Sequence, residues 1–423
     1  MMQSPRGTVD ILPNEQVYWR YIEDVVRQFA SQYSYDQIST PTFELSELFS
    51  RGVGQSTDIV KKETYSFDDR GGHSLTLRPE GTASVCRSYL QHGMHNQPQP
   101  VRLFYIMPMY RYERPQLGRY RQFHQFGIEL LGDNAPTVDF EVIEFATKIL
   151  AYFGLKKFKL NINSLGDKES RKSYREAILK YFSAYSNNLS EDDLRRLKEN
   201  PLRILDSKDK YVKSLFTNAP NSLDYLSQTS KDRWDELLTY LSDSSIEYCV
   251  NTQLVRGLDY YTHTVFEFMP IDGGSQSTIL AGGRYDGLVE ELGGPSIPGI
   301  GFAMGIERII EELKKQNMQF EKFNQPGVVI CSIGGEKETR KAVRTACQLR
   351  NLGIKAILAP ISKSIKGQMR YAGNLSPSYV VILGSEEIKK NTYILKDMIK
   401  NEQKEVKFET LVSFLSKGCI DNL

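Results

Sequence analysis

The sequence predicts an α+β domain carrying a helical insertion, followed by an α/β domain. Three observations carry that reading. Two long strand-like runs, residues 103–113 and 120–131, are joined by the short loop Arg114-Pro-Gln-Leu-Gly118, so they should pair as a hairpin. Between residue 167 and about residue 245, Lys, Glu, Ser and Asn dominate with helical periodicity and few strand signals. Beyond Pro326, short β-type runs at 328–331, 354–358 and 379–383 alternate with helical segments, which argues a βαβ unit with a mostly parallel sheet. A chain of 423 residues is too long for one core. The expected division is residues 1–320, with the insertion at about 167–245, a polar linker at 317–326, and a second domain over 326–423.

The remaining elements follow in order. Residues 15–30 read as an amphipathic helix, with Tyr18, Ile22, Val25, Val26 and Phe29 on one stripe. Residues 41–49 lead into a glycine-rich turn, Arg51-Gly-Val-Gly54. A short strand is expected at 75–78, and Thr82 is placed to cap a helix running from Ala83 to about Gln91. A second long helix is expected over 137–153 and a strand over 157–162. Residues 300–315 pass from a glycine-spaced strand into a helix, with Ile306, Ile309, Ile310 and Leu313 on one face.

Composition bounds the class. Apolar content of 40% and charged content of 25% are those of a soluble globular protein. The segment Met1-Met-Gln-Ser-Pro-Arg-Gly7 has no apolar core, so no signal peptide is expected, and no run approaches membrane-spanning length. Five scattered cysteines without C-x-x-C spacing fit reduced thiols in a cytoplasm, and no metal site is expected from His92 and His95. Residues 326–423 hold 16 Lys/Arg against 9 Asp/Glu, a net +7, whereas the remainder carries −5. A basic second domain fits either a polyanionic partner or an ordinary solvated surface.

Three stretches carry chemistry. Leu254-Val-Arg-Gly-Leu-Asp-Tyr-Tyr-Thr-His-Thr264 gathers Arg256, Asp259, Tyr260 and Tyr261 around a glycine, a mixture that packing does not require. In the hairpin, alternate residues share a face, so Arg119, Arg121, Phe123, Gln125, Gly127 and Glu129 line one side. Phe126 and Ile128 take the other. Arg111 and Glu113 end the matching face of the first strand. Such a polar concavity suits a triphosphate beside a small zwitterion, with Phe123 as a flat surface for a purine. Arg78-Pro-Glu-Gly-Thr82 adds Glu80 at a strand-to-helix turn, where Thr82 alone would serve as the cap. Gly299-Ile-Gly-Phe-Ala-Met-Gly-Ile-Glu-Arg308 sets an arginine in a helix's first turn. There it opposes the macrodipole unless an anion binds.

Together these stretches resemble the three motifs of class II aminoacyl-tRNA synthetases: the region around Pro41, the hairpin, and Gly299 to Arg308. The finer spelling is similar to the histidyl-tRNA synthetase family. It includes Arg6-Gly-Thr-Val-Asp10, Leu77-Arg-Pro-Glu-Gly-Thr82, Tyr120-Arg-Gln-Phe-His-Gln-Phe-Gly127, Arg256-Gly-Leu-Asp-Tyr-Tyr261 and Ala281-Gly-Gly-Arg-Tyr-Asp-Gly287. The resemblance runs from near Arg6 to near Leu415. It implies an antiparallel sheet flanked by helices and a C-terminal anticodon-binding domain. It further implies activation of L-histidine with ATP, followed by transfer to the 3′ end of tRNA(His), as a cytoplasmic homodimer. Arg111 and Arg256 would hold the α-phosphate and Arg308 the γ-phosphate. Phe123 would stack on adenine with Glu113 near its amino group, and Arg119 would lie in a loop closing over ATP. Glu80, Thr82 and Gln125 would hold the α-amino group. Glu129 and Tyr261 would grip the imidazole nitrogens, with Tyr260 and Tyr285 completing the histidine site. Mg2+ is expected because ATP is used, though no carboxylate is assigned to it. Two alternatives stand beside this reading: a synthetase-like regulatory subunit of histidine biosynthesis, and a class II synthetase for another amino acid.

Overall fold

The computed structural model describes residues 2–54, 57, 59–115, 118–155, 157–271, 278–318 and 326–420, with the side chains of 416–420 left undescribed. The expected linker falls almost wholly outside these residues, as does the tip of the 114–118 loop. The chain forms two compact units, Met1–Phe320 and Glu321–Leu423.

The first unit is built on an eight-stranded sheet. Its order is Asp36–Gln37, Val101–Tyr110, Gln122–Leu131, Gly299–Gly305, Leu280–Arg284, Thr262–Pro270, Phe158–Ser164 and Cys249–Val250. The six central strands are antiparallel, and the two short edge strands pair parallel to their neighbours. The hairpin strands pair residue for residue from Val101↔Leu131 to Tyr110↔Gln122. Both are shorter than expected because the polar segment Arg111–Arg121 leaves the ladder. The α+β expectation holds, with parallel pairs confined to the margins.

One face of the sheet is covered by the helices Gln16–Gln32, Pro136–Tyr152 and Ile306–Lys315. Trp19, Ile22, Val26 and Phe29 of the first helix meet Phe145 and Ile149 of the second and Phe126, Ile128 and Phe302 of the sheet in one core. The even-numbered side of Gln122–Leu131 is thus apolar, as its alternation requires. The opposite face is not open. Tyr105, Met107, Met109, Tyr260, Tyr261 and Tyr285 form a second core with the insertion's Tyr174, Ile178 and Phe182.

The insertion leaves after Phe158–Ser164 and returns at Cys249–Val250, with the helices Lys168–Ser183, Glu191–Glu199, Lys210–Leu215 and Gln228–Asp243 between. Asp167 caps the first of these through Ser170 N at 2.8 Å, and it also accepts from the hydroxyls of Ser227 and Ser230 at the start of the last. Its carboxyl is held far below the usual carboxylate range: burial opposes this, but the hydrogen bonds from Ser227 and Ser170 outweigh it.

Two expectations change. The glycine-rich turn after Phe49 is a wide helical turn, Ser50–Gly54. The second unit's sheet runs Ala356–Leu358, Val328–Ser332, Tyr379–Leu383, Thr392–Asp397 and Glu402–Lys407. Its first three strands are parallel and its last two antiparallel, so the sheet is mixed rather than mostly parallel. Glu402–Lys407 is an almost wholly exposed, charged edge strand, so hydrophobic alternation could not reveal it.

A buried ion cluster ties four elements of the first unit together. Asp139, fully buried on Pro136–Tyr152, accepts from Arg284 Nε at 2.9 Å, Arg233 Nη2 at 2.8 Å and Thr264 Oγ1 at 2.6 Å. Burial alone would raise its carboxyl, but Arg284 and Arg233 hold it below its ordinary value. We predict that Arg284→Met lowers the unfolding free energy by about 3–5 kcal/mol, because it strands a buried charge. Denaturant unfolding at neutral pH measures this, and a loss below about 1 kcal/mol would contradict it.

Candidate active site

The site begins with parity. Phe123, Gln125, Gly127 and Glu129 share the odd face of Gln122–Leu131, and the neighbouring strand sets Gly305, Ala303 and Gly301 opposite Gln125, Gly127 and Glu129. Small residues there are a steric requirement: a Cβ on Gly301 would strike the Glu129 carboxylate and the Ile128 carbonyl. The space above Gly127 is not empty. It is filled by the ring of Tyr105, its direct cross-strand partner.

Glu129 is 1% exposed and sits among hydroxyls. Tyr285 donates to it at 2.5 Å, Thr82 at 2.7 Å and Tyr105, more weakly, at 3.4 Å. Burial pushes its carboxyl up to about 8, against the pull of the Tyr285 and Thr82 hydrogen bonds. Tyr260 and Tyr261 pack beside it, their ring centroids 4.8 Å apart. Burial also raises the Tyr261 phenol to about 12, so it stays protonated and can donate. These groups pack as a closed polar cluster, joined to the main cavity through Tyr105, which lines it.

That cavity has a volume of about 190 Å³. Glu80, Arg111, Glu113, Arg119, Phe123, Gln125, Arg256 and Arg308 all line it, and so does Tyr105, which the sequence reading missed. Arg111 is anchored by Nε donating to the Pro79 carbonyl at 2.8 Å, and its guanidinium lies 5.3 Å from the Phe123 ring centroid. Arg308 donates through Nε to the Gly118 carbonyl at 3.2 Å and through Nη1 to that of Thr278. Burial, then the charge of Arg119, with Arg111 adding to it, depresses the proton affinity of Arg308. Arg121 does not join them; it stacks on Tyr112 at 4.0 Å. Among the described residues, the buried polar atoms at the cavity without a hydrogen-bond partner include Gln125 Oε1, an acceptor, and Arg256 Nε, a donor.

The capping assignment at the start of Thr82–Gln91 is corrected. Thr82 does not cap. Glu80 does, its two oxygens accepting from Thr82 N at 2.7 Å and Ala83 N at 2.9 Å. The Thr82 hydroxyl turns inward because Glu129 needs donors more than the helix needs a second cap.

Crowded guanidiniums beside a sealed carboxyl–phenol pocket, on an antiparallel sheet, define an enzyme that handles a polyanion next to a small polar molecule. A family model described as Histidyl-tRNA synthetase matches residues 7–309, and one described as Anticodon binding domain matches residues 327–418. The histidine–tRNA ligase of Desulforamulus reducens is 47% identical, over 97% of this chain and 98% of its own. That of Anoxybacillus flavithermus is 46% identical over 98% of each. The crystal structure of apo S. aureus histidyl-tRNA synthetase matches with a TM-score of 0.83 at 39% identity, covering 98% of this chain and 100% of that one. The chain belongs to the histidyl-tRNA synthetase family.

The raised carboxyl of Glu129 makes stability depend on pH. The folded state keeps a proton that the unfolded chain releases above its ordinary value, so this contribution shrinks as pH rises from about 4.5 towards about 8. Glu129→Gln removes the titration. Its unfolding free energy, relative to the parent, should therefore rise between about pH 5 and about pH 8. Parallel pH dependences for the two proteins would show that Glu129 ionises freely.

Proposed function

We infer that this protein is a histidine–tRNA ligase, and that the residues just described carry its two steps. The observation that supports this most strongly is the buried cluster of Glu129 and its phenols, joined through Tyr105 to an arginine-lined cavity that holds a donor and an acceptor without a partner among the described residues. In the first step a carboxylate oxygen of histidine attacks the α-phosphorus of ATP, and pyrophosphate leaves with the electrons of the broken P–O bond. The adenylate forms. In the second step a ribose hydroxyl at the tRNA 3′ end attacks the adenylate carbonyl and AMP departs.

Arg256 and Arg111 would hold the α-phosphate and Arg308 the γ-phosphate, with Arg119 and Glu113 at the cavity rim. A displacement of this kind is accelerated chiefly by positioning and fixed positive charge, and arginine keeps its proton at neutral pH. Phe123 would stack on the adenine. Gln125 Oε1 and Glu80 would receive the α-amino group, and Thr82 would steady Glu129. Glu129 and Tyr261 would hold the imidazole, with Tyr260 and Tyr285 packed around them. A pocket of fixed hydrogen-bonding groups rejects apolar analogues that would leave them unpaired. Among the described residues no cluster of three His, Cys, Asp or Glu could hold a metal. Mg2+ would be expected with the triphosphate, held by phosphate oxygens and water with at most one or two carboxylates.

We also assign the first unit, residues 1–320 with its insertion at about 167–245, to catalysis, and residues 326–423 to the anticodon. The exposed side chains of Phe43, Leu45 and Phe67 on a small three-stranded sheet support a homodimer. The cytoplasm is the expected compartment. The regulatory-subunit alternative is set aside, because close relatives over nearly the whole chain are histidine–tRNA ligases.

Histidine-dependent ATP–pyrophosphate exchange tests the reading, with the other amino acids as controls. Exchange with histidine alone is expected, whereas exchange with none from folded protein would refute it. Arg256→Ala should lower the exchange rate about 10²-fold or more. Arg256→Lys should restore little, since a single ammonium cannot reproduce the guanidinium fork. Glu129→Gln should weaken histidine far more than ATP, read as the two KM values, and an unchanged histidine KM would remove Glu129 from the imidazole site.

A further inference from the structure

Arg256 and Arg308 reach the cavity from different elements, one from the loop before Thr262–Pro270 and one from the first turn of Ile306–Lys315. The two are nevertheless joined by a short chain of hydrogen bonds. Glu267, 8% exposed on Thr262–Pro270, accepts from Arg256 Nη1 at 2.9 Å and from the Thr278 hydroxyl at 3.0 Å, both on Oε2. The carbonyl of Thr278 in turn accepts from Arg308 Nη1. Thr278 also lines the cavity. A short chain of groups therefore runs Arg256–Glu267–Thr278–Arg308 along one wall.

We propose that Glu267 and Thr278 are positioning residues that fix the two arginines at the separation an ATP triphosphate requires. This rests on the phosphate roles given above. A carboxylate beside a polyanion site is unfavourable in itself, since it repels phosphate oxygens. It must therefore repay that cost, and the geometry points to how. The contact is a single Nη1–Oε2 bond, which leaves the buried Arg256 Nε without a partner. Glu267 thus orients the guanidinium without occupying the donor the phosphate would take. Fixing the donor before the substrate arrives spares reorganisation during the displacement. The Thr278 hydroxyl holds Glu267 in turn. Because the same residue's carbonyl holds Arg308, a shift at one phosphate position is carried to the other.

The test is ATP–pyrophosphate exchange by the full chain carrying Glu267→Gln, Thr278→Val or both. Glu267→Gln keeps the shape and loses the charge. Its kcat should fall about 10- to 100-fold, the scale set by a misplacement of about 1 Å. The KM for histidine should stay within about twofold, and the KM for ATP should stay level or fall because a repelling charge has gone. Thr278→Val should act in the same direction more weakly, and the double variant should be no slower than Glu267→Gln, as members of one chain behave. An unchanged kcat in both single variants would overturn the proposal. So would additive losses, or a rise in both KM values alongside a lower melting temperature. A shifted Mg2+ requirement in Glu267→Gln would also overturn it, making that residue a metal ligand instead. Should Glu267→Gln fail to fold, the half-buried Thr278→Val decides on the same criteria. The parent protein is the control: if it shows no histidine-dependent exchange, the functional reading fails; if it does and the variants match it, only this inference fails.

Discussion

The strict alternation of Gln122–Leu131 is the constraint on which the rest depends. Phe126, Ile128 and Leu130 face the core beneath the long helices, whereas Phe123 and Gln125 face the cavity and Glu129 the hydroxyls packed beside it. A slip of one residue would exchange the two sets, burying Glu129 among hydrocarbon and exposing three core side chains. Folding energy and site geometry are therefore the same requirement. The register that buries the apolar side is the one that aims the polar side. Pairing with Val101–Tyr110 and Gly299–Gly305 on either edge makes that register hard to lose.

The same economy governs the charges. Asp139 and Asp286 balance Arg284 and Arg233, so these four hold elements together without offering anything to a ligand. Around the cavity the balance is deliberately incomplete. Arg111, Arg119 and Arg308 crowd one another, and the few acids present take only part of their donors. Guanidiniums cannot relieve such crowding by losing a proton at neutral pH. The remaining relief is an anion, which is how a network that costs stability in the empty protein becomes affinity in the occupied one.

How far all this could be read beforehand differs from element to element. The hairpin, the long helices, the insertion and the strand into Ile306–Lys315 were legible because each buries a periodic apolar stripe. The Glu402–Lys407 strand was not, because an exposed edge strand has no buried face to betray it. At the site, parity located Phe123, Gln125 and Glu129, and the family resemblance pointed to Arg256, Arg308 and the tyrosines. Tyr105 was missed although the same parity rule sets it on the face of Arg111; it also belongs to the second core. Glu80 and Thr82 were interchanged for a different reason. Local sequence sees only the helix start, where threonine is the better cap, whereas the competing acceptor, Glu129, lies 47 residues away. Glu267 and Thr278 carried no local signal at all, because their meaning lies in which arginines they touch.

The glycines show how the pocket was made polar without being made loose. Gly127, Gly299 and Gly301 lie within van der Waals reach of Tyr105, Tyr285 and Glu129 respectively, and a Cβ at any of them would overlap that side chain. Each missing methyl is therefore occupied space, taken by a hydroxyl-bearing ring or a carboxyl reaching across from a neighbouring strand. Three glycines in strands are costly, since each forfeits conformational entropy and a packing side chain. What they permit is a carboxyl sealed from water yet surrounded by three donors, a state in which its ionisation depends on what enters the pocket rather than on solvent. A pocket lined with larger residues would pack as well and discriminate less. The glycine spacing is the means by which a buried acid and its phenols come within hydrogen-bonding distance.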